Sequence, residues 1–73
     1  MKVSSVSQVG EIVRERRKQL QVTQRDLAMV GGTGLRFIVD LEKGKPTCQL
    51  GKVIQVTRAL GLRLELIADE GID

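Results

Sequence analysis

The chain has no histidine, tryptophan or tyrosine, and only one phenylalanine, one cysteine and one proline. Without histidine, a zinc site would lack its usual imidazole ligands, and histidine-based acid–base catalysis is excluded. A single cysteine, Cys48, forbids an internal disulfide and suits a reducing cytosol, where a small buried thiol is the expected role. Phe37 is the only aromatic, so the 41% hydrophobic fraction is almost wholly aliphatic. No apolar run approaches the ~18 residues of a membrane span. The start, MKVSSVSQVG, has one lysine but no apolar stretch of signal-peptide type. Repeats, linkers and low-complexity segments are also lacking.

What remains is 73 residues, one small domain near the lower limit for a self-supporting core. So thin a core favours oligomerisation. The net charge of +3 is unevenly spread. Residues 1–45 hold nine Lys/Arg against five Asp/Glu, or +4, and residues 46–73 hold three against four, or −1. A basic front and a faintly acidic tail suggest a polyanionic partner for the front.

The organising stretch is TQRDLAMVGGTGLRFIVDLEKG, residues 23–44. Thr23 and Asp26 have the spacing of a capping box and open a helix with Leu27, Ala28 and Val30 on its apolar side. Gly31, Gly32 and Gly34 break it, because glycine enters left-handed backbone conformations without steric cost. A second helix follows, with Leu35, Ile38 and Leu41 at helical spacing and Phe37 one step round. Gly44 and Pro46 stop it. Before this pair, the S-x-x-Q spacing of Ser5 and Gln8 predicts a helix to about Gln21, with Val9, Ile12, Val13, Arg16 and Leu20 on one side. Gly10 in that helix allows a close helix contact. After it, Thr47 or Gly51 starts a helix ending at Leu60–Gly61, with Leu50, Val53, Ile54 and Leu60 as its buried stripe and Thr57 in an apolar slot.

The period then changes. Leu62, Arg63, Leu64, Glu65 and Leu66 alternate apolar and charged, the pattern of a half-buried strand. A single strand leaves its backbone groups unpaired, and its natural partner is the same strand of a second copy. The expectation is a two-fold homodimer joined through Leu62, Leu64 and Leu66. The alternatives are an extension of the fourth helix or a frayed tail.

Helix, tight turn and helix with basic residues at the rim is the arrangement that places a second helix in the DNA major groove. The stretch VTQRDLAMVGGTGLRFIVDLEKGKPT resembles the helix-turn-helix of the lambda-repressor-like (Cro/C1, XRE) regulators. ALGLRLEL resembles the tail of HipB-type antitoxins, and S-V-S-Q-V the start of their first helix. The likeness covers roughly residues 5–67. It implies an all-α domain of four or five helices at 5–61, a dimerising β-strand at 62–68 and an acidic tail at 69–73. It also implies a cytoplasmic, nucleoid-associated bacterial repressor that acts without cofactor or metal on a palindromic operator. A HipA-like serine/threonine kinase toxin is implied as partner.

The resemblance also assigns residues. Thr23, Gln24 and Arg25 open the first motif helix, where phosphate contact is expected. Lys43 and Lys45 follow the recognition helix and should meet the DNA backbone. Gly34, Leu35 and Arg36, with Val39 and Asp40 one turn on, would face the bases. Arg36 is the first choice, since arginine donates two bonds to guanine; its alternatives are a phosphate contact or a solvated side chain. Arg17 and Glu42 stand where the family pairs an internal salt bridge. Serine is usual where Gly34 stands, and a small apolar residue at Gly31 and Thr33, so the start of the recognition helix is where this chain departs.

Other classes fare worse. GGTG follows no strand and matches neither G-x-G-x-x-G nor a Walker lysine pattern. No carboxylates or nucleophiles fall into a catalytic arrangement. Two further readings stay open: a phage-type or restriction-modification control repressor without a toxin, and a protein-interaction module with little specific DNA binding.

Overall fold

The structure is a computed structural model describing residues 3–69, and among them the only regular elements are four helices. They are α1 (Val6–Gln19), α2 (Gln24–Gly31), α3 (Leu35–Glu42) and α4 (Leu50–Ala59). Each start has a local cause. The Ser5 hydroxyl accepts from the Gln8 backbone N–H at 3.2 Å, while the Gln8 side chain returns to the backbone of Ser4 rather than of Ser5. Thr23 and Asp26 form a complete capping box, at 3.0 and 3.2 Å. Gly34 begins α3 and Gln49 begins α4 without a side-chain cap.

All four helices end the same way. In each, one N–H reaches back five residues and the N–H before it three, the Schellman arrangement. The outer bonds are Val22 to Arg17 at 3.2 Å, Thr33 to Ala28 at 2.9 Å, Lys45 to Asp40 at 3.0 Å and Leu62 to Thr57 at 2.9 Å. This motif needs a left-handed residue, which glycine supplies at Gly32 (φ 70°) and Gly44 (φ 82°). After α1 the place falls to Gln21 at φ 59°, a conformation costing a side-chain-bearing residue about 1 kcal/mol.

The core is one aliphatic cluster of Val13, Leu27, Ala28, Ile38, Leu41, Val53, Val56 and Leu60, with Val9, Phe37, Cys48, Ala59 and Leu62 packed against it. α3 lies on α1 and α2, and α4 covers α2. The α1–α3 crossing is close because Gly10 has no side chain there. A Cβ would collide with the Leu41 carbonyl oxygen and lie 3.0 Å from that of Glu42. From α1, Arg16 Nε donates to the Leu60 carbonyl at 2.9 Å and so closes the end of α4. Thr57 fills its apolar slot by donating its hydroxyl to the Ile54 carbonyl at 2.9 Å. Burial raises the pKa of the Cys48 thiol, and the Asp40 charge adds to the shift.

Several expectations shift. α1 ends two residues early, at Gln19, and Gly31 completes α2 instead of breaking it. α4 starts at Leu50, not at Thr47 or Gly51. Val30 and Leu50 are exposed, and Val56 takes the buried place that periodicity gave to Leu50. Periodicity locates a stripe, whereas neighbouring helices decide which edge of it faces inward. Residues 62–69 form no strand and no further helix turn in the single chain. Leu62 packs on the core, whereas Leu64, Leu66 and Ile67 are exposed. Within one copy this segment has no ladder partner for its backbone groups. The expected acidic tail lies, from residue 70 on, outside the described residues. No described helix is long and apolar enough to cross a membrane.

Candidate nucleic-acid interface

α2, the corner Gly32–Thr33–Gly34 and α3 form the helix-turn-helix. Its geometry is fixed by one carboxylate at the end of α3. Glu42, with 4% of its side chain exposed, faces Arg17, with 12%. The guanidinium donates twice, Nε to Oε2 at 2.7 Å and Nη2 to Oε1 at 3.0 Å. Its remaining Nη1 donates to the Val22 carbonyl at 2.9 Å, in the link between α1 and α2. Gln24 adds a third donor, Nε2 to Glu42 Oε1 at 3.1 Å. One side chain thus ties α1, the start of α2 and the end of α3 together. The hydrogen bond from Arg17 to Glu42 raises the arginine's pKa further above its already high ordinary value. A buried, fully hydrogen-bonded pair of this kind costs several kcal/mol to break from one side.

This lock engages Gln24, one of the expected phosphate contacts, and the capping box engages Thr23, another. Gln24 turns its amide inward to Glu42. The exposed Thr23 hydroxyl accepts from the Asp26 N–H at 3.0 Å, which leaves its own O–H to donate outward. What the start of α2 presents outward is the backbone N–H groups of its first turn and the exposed Arg25. Lys43 and Lys45 are exposed just beyond α3.

Along α3, Gly34, Leu35 and Arg36 are exposed and Val39 is half-buried. Arg36 has 84% of its side chain free, and its Nε lies 3.4 Å from Asp40 Oδ1, one turn on. Asp40 itself is only 17% exposed, and its other oxygen faces Lys45 Nζ at 3.5 Å. Asp40 therefore sits beneath two cations instead of standing free at the surface. Its pairing with Arg36 was legible in the i,i+4 spacing; its pairing with Lys45 depends on the turn at Gly44. The sequence also gave no sign that Lys52, from α4, lies over the Phe37 ring at 5.8 Å. In the corner, Thr33 Oγ1 is the one buried side-chain polar atom among the described residues with no hydrogen-bond partner. That is the place where a small apolar residue was expected.

The expected residues thus fall into two groups. Arg17, Gln24, Glu42 and Thr23 hold the motif together, whereas Asp40 underlies two of the cations it presents. Gly34, Leu35, Arg36, Arg25, Lys43 and Lys45 form its solvent face. This face carries the cations Arg25, Arg36, Lys43 and Lys45, and no cluster of side chains that could hold a metal ion occurs among the described residues.

A family profile described as helix-turn-helix matches residues 13–67. An uncharacterized HTH-type transcriptional regulator, y4mF of Sinorhizobium fredii (strain NBRC 101917 / NGR234), is 48% identical over 67 residues, covering 92% of this chain and 88% of that protein. Among solved structures, a chain of a HipA–HipB–O2–O3 complex superposes with a TM-score of 0.84 at 23% identity, covering 96% of this chain and 99% of the other. A chain of a HipB–O4 20mer complex gives the same score, identity and coverage. These two likenesses show the fold. The chain belongs to the XRE-type helix-turn-helix family of transcriptional regulators, DNA-binding proteins and not enzymes.

Proposed function

We propose that the protein is a sequence-specific repressor that binds a palindromic operator as a homodimer. The observation that carries this is the solvent face of α3, with Arg36 free at its start and Lys43 and Lys45 at its end, held in place by the Arg17–Glu42–Gln24 lock. A rigid helix of this kind enters the major groove, and two of them address half-sites about one DNA turn apart. Arg36 reads a base, aided by Leu35 and Val39, while Arg25, Lys43, Lys45 and the first turn of α2 hold phosphates.

Residues 62–68 supply the dimer contact. The alternation of Leu62, Leu64 and Leu66 supports this, as does the exposure of Leu64, Leu66 and Ile67 in a single copy. Leu64→Glu yields monomers by light scattering if this reading is right, and a persistent dimer moves the interface elsewhere. Regulation of its own operon, and binding of a HipA-like serine/threonine kinase, belong to the same proposal; the likeness in fold to HipB, which is solved with HipA, supports it. A neighbouring reading frame for such a kinase separates this role from that of a repressor without a toxin.

The test is a fluorescence-anisotropy titration on DNA from upstream of the protein's own gene, beside scrambled DNA, at two salt concentrations. Tight, saturable preference for the upstream DNA supports the autoregulator. Equal, salt-sensitive binding to both removes autoregulation and favours an interaction module.

A further inference from the structure

We infer that Asp40 is a positioning residue that orients Arg36 for base reading and restrains contact with the wrong DNA; the inference rests on the DNA-binding reading above. A carboxylate is out of place on a surface that meets a polyanion. It could earn that position as a base reader, accepting from the N4 amino group of cytosine. The geometry opposes this. Each Asp40 oxygen faces a cation, Oδ1 the Arg36 guanidinium at 3.4 Å and Oδ2 the Lys45 ammonium at 3.5 Å, and the side chain is mostly covered. The Asp40 backbone carbonyl also accepts from the Lys45 N–H at 3.0 Å, so the Gly44 turn returns Lys45 to this carboxylate.

Two consequences follow from this arrangement. Arg36 is exposed on a flexible stem, and the carboxylate one turn below limits the directions its guanidinium takes. A fork that is already aimed loses less freedom when it meets guanine. Asp40 also competes with phosphates for both cations. A non-cognate duplex offers only phosphates and must displace the carboxylate, whereas a cognate duplex offers a base edge that the aimed guanidinium can reach. Asp40 thus improves discrimination by weakening non-specific binding.

The isosteric variant Asp40→Asn removes the charge and keeps the shape. Wild-type protein and variant are each used to select from a pool of randomised duplexes, and the selected duplex and a scrambled one are then titrated at two salt concentrations. For Asp40→Asn we expect scrambled duplex bound several-fold tighter with a steeper salt dependence, and cognate discrimination reduced about fivefold, with preference lost chiefly at one base position per half-site. In an Arg36→Ala background the same change should leave discrimination untouched while still tightening scrambled binding. A variant that tightens both duplexes by one common factor would reduce Asp40 to a local negative charge and overturn the inference. Discrimination lost equally with and without Arg36 would also overturn it. If the wild-type protein selects no consensus, DNA reading itself fails; if it selects one that Asp40→Asn keeps in full, only the role of Asp40 fails.

Discussion

Glu42 and Asp40 lie two residues apart on one helix and do opposite work. Glu42 is sealed, with three donors from Arg17 and Gln24 at 2.7 to 3.1 Å. Asp40 holds two exposed cations at 3.4 and 3.5 Å, and 54% of the Lys45 side chain is free. In the first case geometry is tight and water excluded, so the charges serve architecture. In the second the contacts are long and the cations exposed, so the pairs are worth little to stability and easily exchanged for another anion. The contrast separates what holds the motif from what it presents. It also explains why Gln24, expected at phosphate, faces inward.

The sharpest way to break the contrast is Arg17→Ala, which strands the Glu42 carboxylate. Urea unfolding should show a loss of about 3 kcal/mol, a large part of the stability of so small a domain. Next comes Gly10→Ala, which forces a methyl against backbone oxygens of α3 that cannot yield. A loss of about 2 kcal/mol is expected, read by the same unfolding curves, with Glu42 displaced along with its helix. Arg36→Ala tests the other side. Its unfolding midpoint should barely move, since the pair with Asp40 is exposed, while anisotropy should show about 1–3 kcal/mol less binding to the cognate site and relaxed preference at one position. An unfolding loss as large as that for Arg17 would show the two carboxylates to be alike. The smallest effect concerns the start of the same helix. Gly34→Ser supplies the missing cap where the added Cβ meets open space, and should raise stability by a few tenths of a kcal/mol in thermal unfolding.

Much of this architecture was legible where its cause was local. The Thr23–Asp26 capping box lies within four residues, and the glycine stops at Gly32, Gly44 and Gly61 lie at the helix ends they close. Gln21 was not legible as a left-handed residue, because nothing in its type demands that conformation. The exposure of Leu50 and Val30 in place of burial was hidden for another reason. A periodic stripe is wider than the contact it makes, and the contact edge is chosen by the helix across from it. The base-facing positions Gly34, Leu35 and Arg36 could be placed from the motif, and they are exposed. The role of Asp40 could not, because its second partner arrives through a turn.

By itself the sequence determined four helices, the caps of the first two, the glycine stops of the last three, a basic front half, and the lack of histidine and of an internal disulfide. Each of these depends on residues near one another in the chain or on composition alone. Only the tertiary structure decided that Arg17, Gln24 and Glu42 form one lock, that Arg16 closes the end of α4, and that Asp40 stands between Arg36 and Lys45. Those contacts join side chains on separate elements at hydrogen-bond or ion-pair range. Only packing of the aliphatic core brings such residues together, and no local preference of theirs contains that information.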